Sequence, residues 1–215
     1  AHAEQQTKVL PEMIVCHVRP WLSLSEETKS ALDVARGYVG WKEDGPNTGA
    51  IVRASLSGCV RDGRPLGIRE GVAWCAGFVG LCDHESGECH TWRASVRELV
   101  SDAVIARTWR EVEDYVAQPG DLAVFKRDGK DPFIGQEGHV ERVEVSPDAT
   151  GALTTIGGNV GNAVVRRTWR IGDEKTGNEL VGWICRSGLT DQDRVQVEIA
   201  QAHSMREMMR GMVDA

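Results

Sequence analysis

Two residues of this chain have the types and settings of a nucleophile and its base. Cys75 lies in GVAWCAGFV (71–79), after a glycine-rich loop and at the start of a dense small-and-apolar run that reads as a buried helix. A helix start carries partial positive charge and free backbone N–H groups. These favour thiolate over thiol and can donate to a developing oxyanion. The plainer reading of Cys75 is a small buried core residue, and this segment alone does not decide between the two. His139 opens GHVERVEV (138–145) after a polar loop, which places it at a strand end near solvent. An imidazole there can take the thiol proton and return it to a leaving group.

A hairpin supplies the third group. The turn Pro147-Asp148-Ala149-Thr150-Gly151 centres on Ala149, so folding the chain there pairs Val145 with Leu153, Val143 with Thr155, Glu141 with Gly157 and His139 with Asn159. Directly opposed residues share a face, with β-carbons about 4.5–5.5 Å apart. The Asn159 amide can then orient one imidazole nitrogen and leave the other for Cys75. Glu141, opposite a glycine, has room to lean toward the site, where a carboxylate favours imidazolium. Its alternative is a surface ion pair with an arginine such as Arg142 or Arg166. Trp74, beside Cys75, is expected with Glu141 on the substrate side, as a wall of the groove, while the other tryptophans read as core.

The elements that must hold these residues follow from periodicity and punctuation. Residues 1–22 read as an irregular arm, 23–190 as the catalytic domain and 191–215 as a C-terminal helix with an apolar stripe through Val195, Ile199, Ala202, Met205, Met209 and Met212. Ser23 and Glu26 have capping-box spacing before a helix carrying Leu32, Ala35 and Tyr38. Further helices are expected over 49–57, 72–81, 95–104 and 110–116. After Pro119-Gly120 the pattern turns to strands, over 121–126, 139–145, 152–156, 163–171 and 180–185. Helices first and strands later predict an α+β fold, with N-terminal helices packed on a mainly antiparallel five-stranded sheet.

In order, GVAWCAGFV, PGDLAVFKRDG (119–129), GHVERVEV and TIGGN (155–159) resemble the cysteine/histidine-dependent amidohydrolase/peptidase (CHAP) family. EDGPNTGAIVRASL (43–56) resembles the segment that often lies upstream of the cysteine there. The resemblance spans about residues 27 to 185. It implies a papain-like fold, cleavage of a peptidoglycan amide through a thioester acyl-enzyme, and no metal or organic cofactor. Cys75, His139 and Asn159 fall on the family's nucleophile, base and polar third residue. Many members carry a glutamate two residues before that asparagine, where this chain has Gly157. Glu141 could supply the missing carboxylate from the neighbouring strand. The implied substrate is the peptidoglycan stem peptide, and the implied place of action is the bacterial cell wall. A protein-directed cysteine hydrolase or acyltransferase, such as a toxin effector, and an inactive binding domain are the alternatives.

Composition narrows the partners. The 215 residues are 41% hydrophobic and 27% charged, enough for a packed core. With 25 Lys+Arg against 32 Asp+Glu the formal net charge is −7, which argues against a nucleic-acid surface and against electrostatic docking on an anionic wall. A delivery or docking protein is therefore one expected partner, with the C-terminal helix as its best surface. No run approaches the roughly 18 apolar residues of a membrane span. Cys82, His84, Cys89 and His90 crowd nine residues in an order awkward for one tetrahedral ion. A Cys82–Cys89 bridge is expected there sooner than a metal.

Overall fold

The computed structural model describes residues 29–61, 64–65, 67, 70–88, 92–172 and 179–186. The arm, the Ser23–Glu26 box and the C-terminal helix expected from the sequence lie outside these residues. Four helices come first: α1 (Ala31–Tyr38), α2 (Ala50–Leu56), α3 (Cys75–Ser86) and α4 (Val96–Ile105). A two-residue pair, β1 (Val60–Arg61) and β2 (Arg64–Pro65), separates α2 from α3. The main sheet comprises β3 (Trp109–Glu111), β4 (Leu122–Lys126), β5 (Gly138–Val145), β6 (Ala152–Val160), β7 (Ala163–Arg170) and β8 (Leu180–Ile184). These run antiparallel in the order β3-β8-β4-β5-β6-β7. The architecture is α+β as expected, with six strands rather than five.

The extra strand falls where a helix was expected over 110–116. Trp109–Glu111 pairs with Gly182–Ile184 at the sheet edge, and three residues are too few for a strand period to show in the sequence. At α1 the capping box is real but one motif further on. The Ser30 hydroxyl accepts from the Asp33 N–H at 3.1 Å, and the Ser30 N–H donates back to the Asp33 carboxylate at 3.3 Å. Helix α3 starts at Cys75 itself, not at Val72, with Trp74 as its N-cap.

Strand alternation gives the sheet two lined faces. One face packs under the helices: Leu122, Val124, Val140 and Ile184 against Val79, Leu99 and Val100, and Ile156 and Val164 against Trp74, Phe78 and Leu81. The other holds Ala123, Phe125, Val143, Leu153, Trp169 and Trp183. Helix α3 is bolted to β5 by a buried ion pair between Asp83 and Arg142, and Arg142 also donates to the Gly120 carbonyl at 2.8 Å. Burying both charges costs several kcal/mol each, so this pair fixes relative position more than it stabilises.

Cys82 is a free, fully buried thiol, and Cys89 lies outside the described residues. Cys75 and Cys185 are free thiols as well. Among the described residues no helix is long and apolar enough to cross a membrane, and no group of three His, Cys, Asp or Glu side chains could hold a metal ion.

Candidate active site

Cys75 is the first residue of α3. The first backbone bond of that helix runs from the Phe78 N–H to the Trp74 carbonyl at 2.8 Å, so the N–H groups before Phe78 have no partner one turn back. How the cysteine reaches the histidine is a matter of strand splay. The hairpin register holds at Val143↔Thr155 and Arg142↔Ile156, slips at a bulge so that Val145 faces Thr154 rather than Leu153, and is not continued beyond Arg142. Into the parting of β5 and β6 comes the start of α3. A β-carbon on Gly158 would stand 2.6 Å from Trp74 and 2.7 Å from Phe78, so only glycine lets the helix sit this close. There the Cys75 sulfur meets the Val140 N–H on the strand edge and the His139 imidazole.

His139 lies on the far face of β5, beside Phe125, with 6.3 Å between ring centroids. It is 4 % exposed and Cys75 is 3 % exposed. The His139 Nε2 is 2.8 Å from Glu141 Oε1, which leaves Nδ1 as the nitrogen available to the thiol. Glu141, two residues along the same strand, is fully buried. Its carboxylate also accepts from Thr155 Oγ1, from Arg167 Nη2 and, at 3.2 Å, from Trp169 Nε1. Trp169 Nε1 bonds Thr155 Oγ1 at 2.8 Å as well, and the Arg167 guanidinium lies 3.9 Å above the Trp169 ring.

The electrostatics follow from these contacts. Burial opposes the Cys75 thiolate, but the hydrogen bond and charge of His139, helped by Arg127 and the Val140 N–H, outweigh it and hold the thiol below its ordinary value. Burial likewise opposes the imidazolium, yet Cys75 and Glu141 raise His139 to about 9. For Glu141 burial is again overcome, by His139 and then Arg167, and its carboxyl falls to about 2. All three directions favour one state: thiolate, imidazolium and carboxylate in a row.

The other residues expected at the site sit differently. Asn159 is half-buried, takes a left-handed φ of 61°, and falls where the β6–β7 register shifts between Gly157 and Val160. The rung that would oppose it to His139 is not formed, and the imidazole nitrogen expected for its amide faces Glu141. Trp74 is fully buried in the core, donating from Nε1 to Glu43 at 2.6 Å, so it walls no groove. Glu141 is equally buried and faces His139 rather than a substrate. Its surface alternative is not realised either: Arg142 pairs with Asp83 and Arg166 with Glu144.

Thr155, Arg167 and Trp169 were missed. Thr155 was available from the hairpin count, opposite Val143, whereas Arg167 and Trp169 come to this face only through the β6–β7 register shift. Arg127 was also missed. It continues the face of Phe125 and His139 past the end of β4, where it forms a bridge with Lys130 around Asp128-Gly129.

Residues 67–159 match the family model described as CHAP domain. No curated protein and no solved structure matches the chain. The matched stretch contains the whole of α3, α4, β4 and β5 and most of β6, the elements that carry Cys75, His139, Glu141 and Gly157. That match supports the resemblance of the chain to the CHAP family of cysteine- and histidine-dependent amidohydrolases and peptidases.

Proposed function

We propose that the protein is a peptidoglycan hydrolase, an amidase or endopeptidase, with Cys75 as nucleophile, His139 as general base and acid, and Glu141 orienting the imidazole. The observation that carries this reading is the buried contact of Cys75 with His139, whose second ring nitrogen is held by a carboxylate. The Cys75 thiolate attacks the carbonyl carbon of the scissile amide, and the free amides at the start of α3 receive the developing oxyanion. As the C–N bond breaks, His139 passes its proton to the leaving amine. A water molecule then loses a proton to the neutral imidazole and attacks the thioester, releasing the acid and restoring the thiol.

The cell-wall substrate rests on the family, and the expected place of action is the bacterial wall. Mass spectrometry of muropeptides after incubation of purified sacculi with wild type and with Cys75→Ala tests the reading. New amine and carboxyl termini are expected with wild type and none with the variant. Sacculi left intact by wild type, while a protein or peptide amide is cleaved, would move the enzyme to the protein-directed alternative. Cleavage retained by Cys75→Ala would refute the mechanism.

A further inference from the structure

We infer that Arg167 is a positioning residue of this active site, holding the Glu141 carboxylate against His139 from the second strand over. The inference rests on the roles proposed for Cys75, His139 and Glu141. Glu141 has no exposed surface, so its charge must be met inside the protein. Four side chains meet it: His139, Thr155, Arg167 and Trp169. Of these, only Arg167 brings a permanent positive charge that does not depend on the state of the base.

Its placement is specific. Arg167 stands opposite Thr155 in the β6–β7 register, and Thr155 stands opposite Val143 on β5. The arginine thus reaches across β6 on the face that carries Glu141, and Gly157 leaves the passage clear. The guanidinium is fixed from below by the Trp169 ring at 3.9 Å, and the Trp169 indole in turn donates to both Glu141 and Thr155. Arg167 shares Oε1 with His139. Letting go of Arg167 would therefore free the very oxygen that orients the imidazole. The other charged groups around the pair are Cys75 on α3 and Arg127 at the end of β4.

The test reads the pH dependence of iodoacetamide alkylation at Cys75, resolved by peptide mass spectrometry, on the full chain. In Arg167→Met the carboxylate loses its anchor. The alkaline limb, set by His139, is expected to fall by about one pH unit, with about a tenfold loss of kcat on sacculi and little change in KM. In a Glu141→Gln background the same substitution should move the limb no further, because the two act as one unit. Arg167→Lys keeps the charge but not the planar stack, and its limb should fall between those of Arg167→Met and wild type. If Arg167→Met does not fold, as judged by thermal melting, Arg167→Lys decides alone.

An unchanged or raised limb in the folded variant, or equal shifts with and without Glu141, would overturn the inference. Cys75→Ala assayed alongside separates the two levels. Residual hydrolysis there defeats the proposed function itself, whereas a dead Cys75→Ala with a wild-type limb in the Arg167 variants defeats only the positioning role.

Discussion

Gly157→Ala is the smallest change that should disable this site without touching any reacting group. Gly157 faces Glu141 across the opening between β5 and β6, and a β-carbon there would stand 2.5 Å from Glu141 Cγ, 2.7 Å from Cδ and 2.9 Å from Oε1. Ordinary contact begins near 3.4 Å, so one partner must retreat by about 0.9 Å (3.4 − 2.5). Glu141 cannot turn aside into solvent, because it is buried and held by four donors. A retreat of that size exceeds the margin of about 0.8 Å between its 2.8 Å bond to His139 and no bond at about 3.6 Å. Overpacking of this kind costs about 1–3 kcal/mol, and loss of a charged hydrogen bond about 1.5–3 kcal/mol.

The functional consequence has a definite sign. Without Glu141, His139 loses one of the two partners that raise it to about 9, so the alkaline limb of sacculus hydrolysis should move toward neutrality. Well above pH 9 the rate should fall by about tenfold for each pH unit of displacement. The assay is a pH–rate profile on sacculi, with a thermal melt to show that the variant is folded. Moving the carboxylate rather than deleting it gives the complement. Glu141→Ala combined with Gly157→Glu should recover part of the activity lost in Glu141→Ala, because opposed positions reach the same space. A folded Gly157→Ala with a wild-type profile would refute the claim that this glycine exists to seat Glu141.

Glu141 also predicts an acid transition. Its folded pKa of about 2 lies below the ordinary carboxylate value of 4.5, so its contribution to stability is present above 4.5 and is lost as pH falls toward 2. The amount is about 3 kcal/mol, and denaturant titrations of Glu141→Gln should show a flatter stability slope across that window than wild type. Arg127→Gln removes a charge that favours the Cys75 thiolate, so the acid limb of Cys75 alkylation should move upward. Asp83→Asn strands Arg142 without its buried counter-charge and should cost about 3–5 kcal/mol in a urea melt. Ser30→Ala removes the α1 cap and should cost about 1 kcal/mol.

Much of the sheet was legible because its strands are bounded by turns and alternate cleanly. Cys75 and His139 could be singled out as the proposed reacting pair because a helix start and a strand end are written in local sequence. The third partner was harder, and the reason lies in register. Hairpin arithmetic assumes that two strands, once paired, stay paired. Here β6 leaves β5 after the Arg142↔Ile156 rung, because Trp74 and Phe78 press against Gly158 and bring Cys75 to the Val140 N–H. That is a tertiary event with no local signature. Arg167 was hidden by the same kind of slip. Counting back from the Val160↔Ala163 turn would set Thr155 opposite Thr168, but the irregularity between Gly157 and Val160 sets it opposite Arg167. One residue of slip reverses every face, so a simple count turns this arginine away from the site. Trp74 was misjudged for a plainer reason: adjacency to a nucleophile says nothing about which side of the helix a neighbour occupies.

The spacing of His139 and Glu141, two residues apart on one strand, has a consequence for robustness. Where a base and its orienting group come from different strands, their separation depends on how those strands pair. Here it is fixed by the covalent chain, since alternate residues of a strand always share a face. Strand β6 is thereby released from supplying the group on Nε2 and is left free to bend away and admit the helix that brings the cysteine. A shift in β6 could loosen the surroundings of the carboxylate, but it could not exchange that carboxylate for a neighbouring side chain.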